Sequence, residues 1–443
     1  MRVMKWSMIA LAVAAAASTQ MANAAPFVSD QAEAKGFVED SSLNLLVRNY
    51  YFNRDNKNGG NDQKDWTQGI WGNFSSGYTQ GTVGVGVDAF GYLAIKLDGG
   101  DGTGGTGNMP VNGDGHVDDS QGKAGAAIKF RVSKTELKVG DMQPSTAPVF
   151  AVGGSRILPQ TASGFQLQSS EVKNLDLEAG HFYSSTSQDR NARDGDLWAT
   201  YAQVKADSID YAGGKYGITD NLSASLYGAK LEDIWNQYYA NLNYTIPMGG
   251  DQSVNLDGNI YRTDDTGSAK AGKIDNTAFS LAAAFSFLKA HTVTFAFQKV
   301  NGDTPFDYIG VGKNNRGGDS IFLANSIQYS DFNGPGEKSA QVRYDLKMAE
   351  YGVPGLSFMT RYVKGWDIDG SNIAAGTPYS NYGYGDDGKH HETNLEAKYV
   401  VQTGPAKDLS FRIRQAWHRA NTDQAEGDIN EFRLIVDYPL SVL

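Results

Sequence analysis

Arg412 and Arg414 flank Ile413 in the run Phe411-Arg412-Ile413-Arg414. In an extended strand successive side chains point to opposite faces, so the two guanidiniums share one face, about 7 Å apart, and Phe411 and Ile413 share the other. Arg433 has the same parity in the last segment, where Glu431, Arg433 and Asp437 alternate with Phe432, Leu434, Val436, Tyr438 and Leu440. Arg48 and Arg54 share a parity near the start, and Lys398 lies one segment before Arg412. A guanidinium stays charged at any relevant pH, is weakly hydrated, and grips a carboxylate through two parallel hydrogen bonds. A row of such groups on a wetted surface binds carboxylates at spaced sites, each weak enough to release them. An alternative stays open: the arginines pair with nearby acids such as Glu396 and Asp437 and only stiffen the wall.

The elements that must carry these residues have period two. Val83, Val85, Val87, Ala89, Leu93, Ile95 and Leu97 alternate with Gly84, Gly86, Asp88, Tyr92 and Lys96. Ala124, Ala126, Ile128, Phe130 and Val132 alternate with residues that include Lys129 and Arg131, and Thr135, Leu137 and Val139 with Glu136 and Lys138. Charges in successive positions on the non-apolar face do not suit a soluble core. They suit a barrel with lipid outside and water inside. Phe279 to Phe287 and Val293 to Phe297 form a hairpin with one aromatic-aliphatic face, joined by a tight turn at Leu288 to His291. Polar stretches at Asn53–Lys64, Asp98–Asp119, Ser184–Asp196, Asp303–Gly318 and Asp367–Lys389 read as the long loops of the opposite end. An all-β transmembrane antiparallel barrel of about 16 to 18 strands fits the chain length. If the first strand pairs with the last, closure gathers Arg54, Lys398, Arg412, Arg414 and Arg433 onto one wall.

The chain has 443 residues, no cysteine and a formal net charge of −11. Net acidity argues against a nucleic-acid partner. Arg2 and Lys5, the apolar run Met8–Ala17 and the small-x-small site Ala22-Asn23-Ala24 predict a secretory signal peptide over residues 1–24, leaving one domain over 25–443. A soluble β-sandwich or propeller is the competing architecture.

Several segments resemble the porin D family of outer-membrane channels. They include Phe27-Val28-Ser29-Asp30-Gln31-Ala32-Glu33-Ala34-Lys35-Gly36-Phe37, Arg48-Asn49-Tyr50-Tyr51-Phe52-Asn53-Arg54-Asp55, Gly164-Phe165-Gln166-Leu167-Gln168-Ser169-Ser170, Ile218-Thr219-Asp220-Asn221-Leu222-Ser223-Ala224 and the stretch from Gln328 to Glu337. The run from Gly388 to Leu443 is similar nearly throughout. The resemblance implies about 18 strands in the outer membrane of a Gram-negative bacterium, as a monomer or loose homotrimer. It implies a substrate-selective porin for carboxylate-bearing solutes: basic amino acids, small basic peptides and carbapenem antibiotics in one branch, aromatic acids of the benzoate and vanillate type in another. A barrel with a plugged lumen and a purely structural role is the reading from another class. The resemblance also implies a constriction formed by Tyr201, Tyr308, Ser326, Tyr329 and Asp331 with Asp319 at the loop end, Asp331 facing the basic wall and meeting a substrate's cationic group. The inward-folded loop is expected over Pro148 to Thr161, with Gly153-Gly154 providing a tight bend.

No cofactor is expected. Among the six histidines no pair has clear metal-ligand spacing, and His390-His391 point to opposite faces if extended, so no metal site is expected. The Asp-Gly-rich loop Asp98–Asp119 lacks the terminal Glu of an EF-hand. A peptidase label attached to the family implies a triad of His181, Asp233 and Ser320. No nucleophile elbow surrounds Ser320, so catalysis is not expected.

Overall fold

The structure is a computed structural model that describes residues 26–99, 102–113 and 115–443. The expected signal peptide, residues 1–24, lies outside the described residues. Eighteen antiparallel strands form one sheet. They are β1 (Ser42–Asn56), β2 (Gln63–Ser75), β3 (Val83–Asp98), β4 (Ser120–Val132), β5 (Thr135–Met142) and β6 (Thr161–Ser169). Then come β7 (Leu175–Thr186), β8 (Ile209–Thr219), β9 (Leu222–Leu231), β10 (Trp235–Gly249), β11 (Gln252–Asp265) and β12 (Asp275–Phe287). The set ends with β13 (His291–Asn301), β14 (Lys338–Lys347), β15 (Leu356–Ile368), β16 (Gly388–Val400), β17 (Ser410–Ala420) and β18 (Ile429–Ser441). Each strand pairs with its sequence neighbours, and β1 pairs with β18 from Asn44↔Ser441 to Asn56↔Ile429, which closes the barrel and leaves no edge.

Alternation decides which side each residue takes. Val83, Val85, Leu93, Ile95 and Leu97 are exposed on the outer face, while Tyr92, Lys123, Lys129 and Arg131 are buried toward the lumen. In water this arrangement would be inverted; in a bilayer the outer apolar band meets lipid and every backbone group is paired within the barrel. Outward Tyr183, Tyr216, Tyr238, Tyr244, Tyr362 and Tyr399 supply amphipathic rings for the interface.

The connections separate by length. Turns at 133–134, 220–221, 250–251 and 288–290 close one end, and long loops at 143–160, 187–208, 302–337 and 369–387 gather at the other. The buried apolar residues therefore sit in the lumen, where loops fold against inward side chains. One cluster joins Phe150, Phe182, Tyr211, Tyr261, Phe306 and Ile309; a second joins Tyr50, Phe52, Trp71, Tyr92, Ile157 and Ile435. Leu197–Ala199, Val204–Ala206, Ile309–Val311 and Arg316–Gly317 form a separate four-stranded sheet that ties loops 187–208 and 302–337 together.

Candidate functional site

The register of β16, β17, β18 and β1 lays out the wall row by row. Lys398 faces Arg412, Arg412 faces Ile435, and Ile435 faces Tyr50. In the next row Glu396 faces Arg414, Arg414 faces Arg433, and Arg433 faces Phe52. In the third, Ala416 faces Glu431 and Glu431 faces Arg54. All five expected basic residues thus lie on one lumen wall.

Acids are built into the same wall. Glu431, fully buried, accepts from Arg54 Nη2 at 2.5 Å and from Arg433 Nε at 2.6 Å. Glu396 accepts from Arg412 Nη2 at 2.7 Å and lies 3.2 Å from Arg414 Nε. Arg48 is held by Asp437 through Nε at 2.7 Å. Pairing with acids, open from sequence, is therefore real, but it is incomplete. Four arginines share two carboxylates, and Arg412 Nε and Arg414 Nε make no hydrogen bond among the described residues. The wall keeps a positive surplus, with Arg412 Nε unpartnered among the described residues and Arg414 Nε in ion-pair contact alone.

The loop 143–160 crosses the lumen, as expected for Pro148 to Thr161. Six of its carbonyl oxygens are held by donors around it. Tyr261 Oη donates to Pro148 O (3.0 Å), the Asp319 N–H to Ala151 O (3.0 Å), Arg48 Nη1 to Gly154 O (2.9 Å) and Arg156 O (2.7 Å), Trp71 Nε1 to Ile157 O (2.6 Å), and Lys123 Nζ to Pro159 O (3.0 Å). Gly69 on β2 makes the approach possible, because a Cβ there would stand 2.9 Å from Ile157 O. The bend expected at Gly153-Gly154 does not use a left-handed glycine, since neither has positive φ. It is closed instead by the Gln160 N–H on Gly153 O (2.8 Å) and the Gly153 N–H on Gln160 Oε1 (2.6 Å).

Sequence reasoning missed two members of this site. Arg156, carried by the loop, forms no ion pair among the described residues. Its guanidinium, like those of Arg54 and Arg433, lies 5.4 Å from the ring centroid of Phe52. Burial and then repulsion from Arg433 pull Arg156 down to about 10, so it remains cationic at neutral pH. Phe52 has no signal of its own in the sequence; its place opposite Arg433 is visible only once the closing register is known.

The expected constriction residues converge on a single carboxylate. Asp331 Oδ2 accepts from Tyr201 Oη (2.8 Å) and Tyr308 Oη (3.0 Å), and Oδ1 from Ser326 Oγ (2.6 Å). Tyr329, two residues before, lies under the Arg54 guanidinium at 4.9 Å. Arg433 Nη2 donates to Gln328 O at 3.1 Å, and Glu392 accepts the N–H groups of Tyr329 and Ser330 at 3.2 and 3.0 Å. Asp331 therefore belongs to a segment pinned against the basic wall. The long loop runs to Glu337, beyond the Gly318 limit expected from sequence, because residues 318–337 form no strand.

Asp319 lies beside the crossing loop, its N–H bonded to Ala151 O. Burial pushes its carboxyl up to about 6, against the pull of the Gly154 N–H and Arg156. Burial likewise pushes Asp307 up to about 6, although the N–H groups of Tyr201, Ala202 and Tyr308 and the Tyr379 hydroxyl all donate to it.

The implied triad is not assembled. His181 points outward from β7 and pairs with Asp210 at 2.8 Å; Asp233 sits in an exposed turn and accepts from the Ser268 N–H; Ser320 is buried in the lumen. Two of the histidines meet in space. His390 and His418, far apart in sequence, meet at 2.8 Å across β16 and β17, and with Glu426 they form a group of metal-ligating type.

Comparison with known proteins agrees with this architecture. The family model described as outer membrane porin, OprD family, matches residues 35–442. The chain belongs to the OprD family. It is 68% identical over 446 residues to Porin D of Pseudomonas aeruginosa, covering 100% of both chains. It is 38% identical over 424 residues to the Porin-like protein GalP of Pseudomonas putida, covering 93% of this chain and 95% of that one. The crystal structure of Pseudomonas aeruginosa OprD superposes with a TM-score of 0.84 at 65% identity, covering 94% of this chain and 100% of that chain. Pseudomonas aeruginosa OpdK, crystallised with vanillate, superposes with a TM-score of 0.82 at 35% identity over 92% of this chain and 100% of that chain. As an OprD-family member the protein is an outer-membrane porin that spans the membrane as a multi-strand β-barrel.

Proposed function

We propose that the channel selects solutes carrying both a carboxylate and a cationic group: basic amino acids, small basic peptides and carbapenem antibiotics. One observation carries this reading. Asp331, fixed by three hydroxyls, is pinned through Tyr329 and Gln328 to a wall where four arginines share two carboxylates. An acid beside a cationic surplus creates a transverse field that orients a dipolar solute as it passes. Lys398, Arg412, Arg414, Arg433 and Arg54 hand the carboxylate along; Asp331 meets the cationic end. Each barrel is a complete pore, whether it works as a monomer or in a loose homotrimer.

The test is an uptake panel in proteoliposomes with labelled arginine, benzoate and glucose. Arginine is expected to enter fastest and glucose slowest. Benzoate entering faster than arginine would move the channel to the aromatic-acid class, to which the vanillate-bound relative points. The absence of current steps in a planar bilayer would leave a plugged, structural barrel.

A further inference from the structure

His390 on β16 and His418 on β17 are diagonal neighbours, since Glu392 faces His418 and His390 faces Ala420. Both rings are fully buried on the lumen side. His390 Nε2 lies 2.7 Å from Glu337 Oε1, and His418 Nδ1 lies 2.9 Å from Gly427 O. An ionised carboxylate and a carbonyl only accept, so each of these nitrogens carries its ring's proton. The other two, His390 Nδ1 and His418 Nε2, meet across 2.8 Å. Two nitrogens at this distance need a positive centre between them, either a proton carried by one ring or a metal ion bound by both. Glu426 Oε2 completes the group, 3.9 Å from His390 Nδ1 and 3.7 Å from His418 Nε2.

Three ligands of a tetrahedral ion with bonds of about 2.0–2.1 Å stand about 3.3–3.4 Å apart. The observed separations of 2.8, 3.7 and 3.9 Å bracket that value, and half-ångström shifts of three side chains reach it. The outer contacts are those of metal-binding imidazoles: a carboxylate behind His390 and a backbone carbonyl behind His418, each fixing tautomer and ring orientation. Two imidazoles and one carboxylate suit zinc, copper(II) or nickel better than calcium or magnesium. Gln424 Nε2 also points into the group, 3.2 Å from His390 Nδ1 and 3.5 Å from Glu426 Oε2, and would swing aside.

We propose that His390, His418 and Glu426 bind one divalent transition-metal ion, and that the ion staples the strand wall to the segment bearing Asp331. The link is direct packing: Phe332 stacks on His390 at 4.2 Å and Tyr329 lies 4.9 Å from His418, one on each side of Asp331. An ion that fixes both rings stiffens both flanks of the constriction.

The experiment uses the full-length barrel, purified in detergent and stripped with chelator. Copper(II) is titrated and followed by electron paramagnetic resonance, and zinc is titrated against a chromophoric chelator. One ion per chain with a two-nitrogen signature is expected. His418→Gln should abolish it, and Glu337→Gln, which removes only an outer contact, should weaken it about 10- to 100-fold. His391→Gln, whose ring sits outward beside Tyr362, should bind as the wild type does. Zinc should alter single-channel current in the wild type and not in Glu426→Gln, with heat-modifiable migration checking that each variant is folded. Folded wild type that takes up no ion overturns the proposal. So does unchanged binding in His418→Gln, or nitrogen NMR showing one shared proton that zinc does not displace. Binding without any effect on current removes the staple.

Discussion

The guanidinium of Arg54 lies 4.9 Å above the ring of Tyr329, joining the strand that closes the barrel to the loop that narrows it. Arg54 is simultaneously bound to Glu431, which also holds Arg433. Closure of the sheet and placement of Asp331 are thus one connected network, and a change at either end should be felt at the other.

Replacing Arg412 or Arg414 with Ala removes a cation whose Nε has no hydrogen-bond partner. A charge-assisted hydrogen bond is worth about 1.5–3 kcal/mol, partly screened in a wet pore. Arginine uptake in liposome swelling should fall by about threefold to tenfold, with barrel stability nearly unchanged. Uptake equal to wild type in both variants counts against the arginine row.

Asp331→Asn keeps size and hydroxyl contacts but deletes the charge. Reversal potentials under a salt gradient should move toward anions, and uptake of cationic solutes should drop more than uptake of neutral ones. Equal losses for both would assign Asp331 to shaping the aperture alone.

Asp319 provides the pH dependence. Its folded pKa is raised from 3.8 to about 6. Ionising it therefore costs stability, a cost absent below the unfolded value and complete once pH exceeds about 6. As pH falls from 7 to 5 the carboxyl takes up a proton beside Arg156, the aperture becomes more positive, and anion preference should rise. Asp319→Asn should flatten that step in a bilayer titration; an unaltered titration would place its origin elsewhere.

Glu431→Gln leaves the half-buried Arg54 and the buried Arg433 without their shared carboxylate. Breaking one partner out of a buried ion pair costs about 3–5 kcal/mol. Urea unfolding in lipid vesicles should shift accordingly, far more than for Glu396→Gln, because the Glu431 carboxylate is fully buried and that of Glu396 keeps 15% of its surface exposed.

The barrel was legible because its code is local. Alternation such as Val83 to Leu97 fixes which face meets lipid, and parity alone put Arg412, Arg414 and Arg433 inside. The tight turn at Leu288 and the long-loop segments followed from turn chemistry. What remained hidden depends on register between distant strands or on loops crossing the lumen. Phe52 opposite Arg433, Arg156 delivered by the crossing loop, and His390 against His418 all require knowing which residues face each other across a ladder or a cavity. Likewise the pairing of Arg54 and Arg433 with Glu431 could be guessed as a possibility, not as a stoichiometry.

Six peptide oxygens of the crossing loop are gripped: those of Pro148, Gly154, Arg156, Ile157 and Pro159 accept from wall side chains, and that of Ala151 from the N–H of Asp319. Every amino acid carries the same oxygen, so this part of the anchorage does not depend on which residue supplies it. A displayed side chain that takes no part in that grip can be exchanged during evolution while the opening keeps its shape, whereas Arg156, whose Nε donates to Thr106 O at 2.9 Å, is display and anchor at once.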